Sequence, residues 1–305
     1  MPDGVAACAG AWRTTQGVAL NIYDEPKIDC HNHVFDPKRF PFAADTHYVP
    51  SGQELGDAEQ LRQVFDAYGV RNALLVGPNS GYGSDSSCLL DAVARSEGRF
   101  RGVAVVPNEV SRGELERLRD AGILGITFNA TALGADYYEH TEELLALLTE
   151  LDMFVDIQGE RDQLSSLASL VGRSGARILI DHCGRPDPDA GLHQPAFQAV
   201  LALARTGRAY VKLSGYVKFS HEPYPYRDTW PYVRALIDAF GVTACLWGSD
   251  WPFLRAPERV DYGPLLRLVE HLVPDATDRR TVLWETPRAL FGFEPARSGQ
   301  WVQAG

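Results

Sequence analysis

The sequence predicts an α/β chain folded as a (β/α)8 barrel of the TIM type, regular or distorted, and three observations predict it. Eight short runs rich in Val, Ile, Leu and aromatic residues alternate with eight stretches whose apolar residues recur at spacings of three and four. The length, 305 residues, suits one such barrel. The residues best able to bind metal or move protons close the first, sixth and eighth runs, and barrel enzymes place their chemistry where strands end.

The first run, 27–34, holds Ile28-Asp29-Cys30-His31-Asn32-His33 and includes two histidines two residues apart. In an extended strand such residues share a face, so both imidazoles are expected to converge. A helix over 58–68 precedes the second run, 71–77, and a helix over 87–96 precedes the third, 100–106. The stretch 112–121 is helical in pattern and leads to the run 123–129. So is 139–150, where Leu144, Leu145, Leu147, Leu148 and Leu151 make an apolar face before the run 153–158. A helix over 161–171 leads to the sixth run, 176–182, which ends Leu179-Ile180-Asp181-His182. Helices over 194–204 and 229–240 flank the seventh run, 209–215. The eighth, 244–250, ends Leu246-Trp247-Gly248-Ser249-Asp250 before a helix over 257–271. Gly69, Gly122, Gly175, Gly207 and Gly241 fall between a helix and the next run, where a left-handed cap is expected. Thr286-Pro287 reads as the N-cap and first turn of a short C-terminal helix over 287–291. Residues 1–24 read as an arm, 294–305 as a tail, and 1–305 as one domain. A doubly wound open sheet is the competing fold, but no Gly-rich phosphate turn follows the first run.

Hydrophobic residues make up 45% of the chain, enough for a large core. The formal charge of −11, with no basic stripe, argues against nucleic acid and anionic membranes as partners. An acidic protein can still take an anionic small molecule in a locally positive pocket. The five cysteines (8, 30, 88, 183 and 245) include no CxxC pair, and Cys30, Cys183 and Cys245 read as small buried thiols. A reducing, cytoplasmic setting is expected, since neither a secretory leader nor an apolar run of about 18 residues is evident.

Neutral imidazole and carboxylate suit a borderline divalent ion such as zinc, and three or four ligands with one open position define a catalytic site. A lone histidine at a strand end is ordinarily just a satisfied polar residue. His31, His33, His182 and Asp250 together, all at expected strand ends, point to a hydrolase-type centre. Ser80 and Tyr82, after the second run, are expected to donate hydrogen bonds to a substrate oxygen. Asn129 and Gln158 end the fourth and fifth runs as candidate orienting amides, and Lys212 is a candidate pocket cation. Lys218 reads as a solvated loop charge or, with Lys212, as a cation that neutralises one anionic group, and His47, His140, His193, His221 and His271 read as surface or helix residues. The loops 39–50 and 216–230 are rich in aromatic residues and either wall the mouth or pack on the barrel rim.

Six segments carry a resemblance. They are Asp29-Cys30-His31-Asn32-His33-Val34-Phe35, Arg39-Phe40-Pro41-Phe42, Gly81-Tyr82-Gly83-Ser84-Asp85, Gly102-Val103-Ala104-Val105-Val106, Asp181-His182-Cys183-Gly184 and Trp247-Gly248-Ser249-Asp250-Trp251-Pro252. In these the chain resembles the amidohydrolase superfamily over nearly the whole barrel. Within it, the pattern is similar to the amidohydrolase-related branch of pyrone-dicarboxylate, sulfomuconolactone and sugar lactonases. The resemblance implies one divalent ion, zinc or manganese, on His31, His33, His182 and Asp250, with metal-free operation as the alternative.

Two departures narrow this. Binuclear members carry a bridging carboxylated lysine at the end of strand four, whereas this chain has lysines only at 27, 38, 212 and 218. Its fifth run also ends without the usual histidine, in Asp156-Ile157-Gln158. Relatives that handle dicarboxylates place an arginine near the end of strand four, where this chain has Thr127. Bidentate carboxylate recognition is lost there, so pyrone dicarboxylate is not the expected substrate.

The resulting expectation is hydrolysis of a lactone with an acidic substituent. The metal or the imidazole cluster would polarise the carbonyl, Asp250 would act as general base, and His182 would hold the carbonyl or tetrahedral intermediate. The alternatives are metal-dependent non-oxidative decarboxylation of an aromatic or unsaturated acid, and a binding or biosynthetic barrel without hydrolysis. The expected partner is a cyclic anionic small molecule, and monomer and homo-oligomer are both open.

Overall fold

In the computed structural model, which describes residues 21–294, eight parallel strands pair in chain order. They are β1 (Lys27–Asn32), β2 (Val70–Val76), β3 (Phe100–Ala104), β4 (Ile123–Asn129), β5 (Phe154–Gln158), β6 (Arg177–Ile180), β7 (Ala209–Leu213) and β8 (Cys245–Trp247). Seven ladders join them, and the seam between β8 and β1 closes through a single bridge, Asn32 with Trp251. This is a (β/α)8 barrel with one lightly paired seam. Most of the arm and tail expected from sequence lies outside the described residues.

One principal helix follows each strand. These are α1 (Ala58–Ala67), α2 (Ser87–Ala94), α3 (Arg112–Asp120), α4 (Glu142–Glu150), α5 (Asp162–Arg173), α6 (Pro195–Leu203), α7 (Trp230–Phe240) and α8 (Tyr262–Leu272). The local causes are visible in α1. Asp57 accepts from Gln60 N at 2.8 Å while the Gln60 side chain accepts from Asp57 N at 3.1 Å, a reciprocal cap. Leu61 and Phe65, four residues apart, are then both fully buried against the sheet.

Two apolar layers result. The outer one lies between strands and helices, with residues such as Leu115, Leu148, Val171 and Leu236. The inner one fills the barrel with Ile28, Cys30, Leu74, Val103, Phe154, Leu179 and Leu246. Trp284, Phe291 and Phe293 from the C-terminal segment join this inner layer. Phe291 meets the ring of Phe154, the first residue of β5, at 5.8 Å. The N-terminal end of the barrel is thereby plugged, leaving the opposite end for a site.

Three local expectations need correcting. Gly175 does not take the left-handed backbone seen at Gly69, Gly122, Gly207 and Gly241; it is small because a Cβ there would stand 2.8 Å from Thr149 Cγ2. Thr286 is not an N-cap, because the chain is already helical from Ala276 and passes through a π turn, Thr281–Glu285, into Thr286–Leu290. The π turn lies directly before Pro287, which lacks the N–H that would continue the α pattern. The eighth helix begins at Tyr262 rather than 257, since Asp261 is extended (φ −122°, ψ 141°). Residues 255–261 are therefore loop.

Candidate active site

β1 carries one residue more than β2 in this region: Asp29 stands opposite Ala73, and Asn32 opposite Leu75. Ile28 and Cys30 belong to the barrel interior, whereas Asp29 turns outward and accepts from Tyr262 Oη at 2.9 Å. Strict alternation would send His31 outward as well. The extra residue reverses the face, so His31 and His33 both enter the mouth with ring centres 5.0 Å apart.

His33, His182 and Asp250 lie just past β1, β6 and β8 rather than on the strands themselves. His182 and Asp250 hold left-handed backbone, φ 51° and 64°, a conformation no strand end supplies. Two glycines make room for the rings. A Cβ on Gly215 would stand 2.4 Å from His182 Nδ1, and one on Gly248 would stand 2.7 Å from His31 Cβ. Asp250 N donates to His31 O and His33 N donates to Trp251 O, each at 2.8 Å, fastening the β8 turn to β1.

Three imidazole nitrogens converge on one carboxylate oxygen. Asp250 Oδ1 is 3.7 Å from His31 Nε2, 3.6 Å from His33 Nε2 and 3.8 Å from His182 Nε2. The opposite ring nitrogens are engaged elsewhere: His33 Nδ1 with Val76 O at 2.7 Å, His31 Nδ1 with Asp181 Oδ1 at 3.0 Å, His182 Nδ1 with Ser214 Oγ at 3.0 Å. A carbonyl and a carboxylate only accept, so Nδ1 of His33 and of His31 carries the proton and Nε2 presents a lone pair. The Ser214 hydroxyl both donates and accepts, so it leaves His182 free to take either tautomer.

This arrangement lacks a positive charge at its centre. Lone pairs face the Asp250 Oδ1 atom, and the buried His31 Nε2 has no hydrogen-bond partner among the described residues, while Lys218 faces only the other oxygen, Oδ2, at 3.2 Å. Metal–ligand bonds of about 2.1 Å in a tetrahedron imply donor spacings of about 3.4 Å, close to those seen. His31, His33 and Asp250 thus group closely enough to hold one divalent ion, and His182 Nε2, 3.8 Å from Asp250 Oδ1, is the candidate fourth ligand.

Protonation favours the same use. Burial, with Lys212 and His33 adding to it, holds His31 well below the usual histidine range. Burial also lowers His182, against the pull of Asp250. For Asp250, burial pushes the carboxyl up, but Lys218, His182 and His33 outweigh it and hold the group well below its usual range. Each group sheds its proton at a lower pH than usual, and each must be unprotonated to act. The acid limb of a kcat/KM profile is therefore expected below about 6.5, the ordinary histidine value. A limb at or above that value would contradict the assignment.

Beneath the rings lies a buried ionic network. Lys212 Nζ is 2.6 Å from Asp156 Oδ2 and 2.8 Å from Asp181 Oδ1, with all three side chains fully buried. It also approaches His31 Nδ1 at 3.3 Å. Burial works against the ammonium, but the two carboxylates outweigh it and raise Lys212. Asp181 groups with His31 and His182 in a second set of metal-compatible side chains. The ammonium already serves two of these three groups, at 2.8 Å from Asp181 Oδ1 and 3.3 Å from His31 Nδ1.

A cavity of about 450 Å³ opens above the rings. Ser80, Asn129 and Gln158 line it together with His33, His182 and Asp250. Asn129 is held by Asn79 and Thr131, and Gln158 Nε2 donates to Thr131 Oγ1 at 3.4 Å. Two expected contributors are elsewhere. Lys212 lies below the rings, where carboxylates on β5 and just past β6 trap it. Tyr82 is buried between Phe35 and Phe42, and its hydroxyl accepts from Asp36 N at 2.9 Å.

Other residues that line the cavity are not among the site residues expected from sequence. Lys218 is not a solvated charge: it sits 3.2 Å from Asp250 Oδ2 and donates to Leu254 O. His47, read as a surface or helix residue, lines the cavity, as do Thr127, Arg185 and Arg255. Arg185 stands three residues beyond His182, a spacing that could have flagged it. Arg255 lies in the loop between the eighth strand and the eighth helix, where no sequence period singles it out. The aromatic loop 216–230 packs against the barrel side: Tyr216, Phe219 and Tyr226 are buried, and Trp230 stacks on His271. The described cysteines 30, 88, 183 and 245 are buried free thiols.

Comparison with known proteins places this geometry in context. Residues 28–293 match a family profile described as amidohydrolase. A 4-sulfomuconolactone hydrolase from Rhizobium radiobacter is 33% identical over 95% of this chain and 97% of its own length. A 2-pyrone-4,6-dicarboxylate hydrolase from Comamonas testosteroni is 29% identical over 87% of this chain and 89% of its own. Among solved structures, one described as a probable 2-pyrone-4,6-dicarboxylic acid hydrolase from Acinetobacter baumannii, with citric acid bound, shares the fold. Its TM-score is 0.80 at 24% identity, covering 88% of this chain and 99% of that one.

Proposed function

This chain belongs to the amidohydrolase family of hydrolases, and from that premise we propose that it opens a lactone bearing an acidic substituent, acting as one barrel domain. The observation that carries this is the meeting of three Nε2 atoms with Asp250 Oδ1 at the floor of a cavity partly lined by cationic side chains. The choice of a lactone follows the relatives, which are named for cyclic acid substrates.

One divalent ion, zinc or manganese, on His31, His33, His182 and Asp250 would supply Lewis acidity to the carbonyl and the attacking water. The protein's own part is proton handling and orientation. Asp250, kept ionised by Lys218, takes a proton from the attacking water as its oxygen bonds the acyl carbon. The acyl–oxygen bond of the ring then breaks, and Asp250 returns the proton to the departing ring oxygen. The new carboxylic acid ionises, so each turnover releases one proton. His182 reaches the cavity and, through its free choice of tautomer, either offers a lone pair or donates Nε2–H to the carbonyl oxygen. That second state is the metal-free route. Ser80, Asn129 and Gln158 orient the ring oxygens.

Four buried free thiols support a reducing, cytoplasmic setting. No helix among the described residues is long and apolar enough to cross a membrane.

The test is a screen of muconolactones, sugar lactones and aromatic acids, following acid release and carbon dioxide together. Acid without gas supports lactone hydrolysis; gas from an aromatic acid would replace it with decarboxylation. Metal content and chelation decide the route. Stoichiometric zinc or manganese with chelator-sensitive turnover is expected, and full activity in metal-stripped protein would select the metal-free one.

A further inference from the structure

The cavity is divided by charge. Its cationic residues come from the loops after β6, β7 and β8: Arg185, Lys218 and Arg255. The side formed by β2, β4 and β5 offers Ser80, Thr127, Asn129, Thr131 and Gln158, all uncharged. Only Glu160, half exposed on the rim, brings a negative charge from the β5 side, and it pairs with Arg185 at 3.2 Å. Lys218 is committed to Asp250 and Leu254 O.

Two buried groups in this wall lack partners. The Arg185 side chain is 16% exposed and its Nε has no hydrogen-bond partner among the described residues. Thr127 Oγ1, on the opposite side, is likewise buried and unpartnered. Arg255 makes no ion pair among the described residues and lies over the Tyr48 ring at 5.2 Å. A carboxylate beside Arg185 and Arg255 would find charge-assisted partners in the exposed parts of their guanidinium groups. A carboxylate beside Thr127 would meet only neutral dipoles and lose its hydration without a counter-charge. An uncharged hydroxyl or ring oxygen suits that side instead.

We infer that the substrate is a hydroxylated cyclic molecule with one acidic group, seated by Arg185 and Arg255, its neutral oxygens facing Thr127, Asn129 and Gln158. This rests on the lactone reading above for its chemistry, but not for its charge pattern. Thr127 and Arg185 are the specificity-determining pair.

Non-hydrolysable cyclic probes test the pattern without turnover. Calorimetry on the full protein with quinate (one carboxylate), inositol (none) and a pyridine dicarboxylate (two) should show quinate binding at least about tenfold more tightly than either other probe. Arg185→Gln should weaken quinate about 10- to 100-fold, Arg185→Lys should restore part of it, and Arg255→Gln should act in the same direction. Thr127→Arg should shift preference toward the dicarboxylate. Lactones are assayed in parallel: glucarolactone should exceed gluconolactone and pyrone dicarboxylate in kcat/KM, mainly through KM. Equal binding of the three probes, with lactones hydrolysed regardless of charge, overturns this inference and leaves lactone hydrolysis standing. Quinate selectivity without turnover of any lactone does the reverse.

Discussion

Replacing Asp250 with asparagine should lower kcat by about 10²- to 10⁴-fold, the usual contribution of a positioned general base. The amide keeps the shape of the side chain but cannot take a proton. It also withdraws the negative charge toward which three imidazole nitrogens point at 3.6–3.8 Å. Asp250 is at once a ligand candidate and a base, so the measurement should be made at saturating zinc or manganese with metal content determined on the same sample. Turnover within about fivefold of the parent at full occupancy would remove Asp250 from the chemistry.

Lys212→Met should cost about 3–5 kcal/mol of stability, the penalty for removing one partner of a buried ion pair. Methionine fills much of the same volume, so the loss is electrostatic rather than a cavity. It leaves Asp156 and Asp181 facing each other without a cation, both fully buried. Denaturant unfolding would measure the loss. Adding Asp156→Asn and Asp181→Asn to the lysine variant should recover part of it, because neutral amides need no counter-charge. Asp181 also accepts from His31 Nδ1. The single variant should therefore weaken zinc binding about 10- to 100-fold, as loss of an outer partner of a metal-binding histidine does. An unchanged midpoint with unchanged metal affinity would show that this network neither supports the barrel nor positions His31.

Much of this molecule is legible in its sequence. Strand and helix periods are local properties, and the runs around Leu179 and Leu246 announce strands buried on both faces. The four ligand candidates were legible because barrel strands all end at one mouth, so residues far apart in sequence share an address. Local pattern failed where long-range contacts override it. The extra residue in β1 inverts the face of His31, and no alternation rule applied to Ile28-Asp29-Cys30-His31 alone reveals that. Sequence position alone points Lys212 and Tyr82 at a ligand, yet one is trapped by two carboxylates and the other by Phe35 and Phe42. Lys218 errs in the opposite direction and Arg255 carries no signal at all, because loop residues have no period from which to infer direction.

The sequence by itself determined the eight-unit barrel and the chemical types available at its mouth, because hydrophobic period and strand-end position are written residue by residue. Only the tertiary structure decided which charged groups serve the fold and which face the cavity. Burial and counter-charge depend on neighbours more than fifty residues away, as Lys212 with Asp156 and Asp250 with His31 show. The same ammonium that would bind a substrate in the open becomes, under the rings, the cation that holds two acids and a histidine in place.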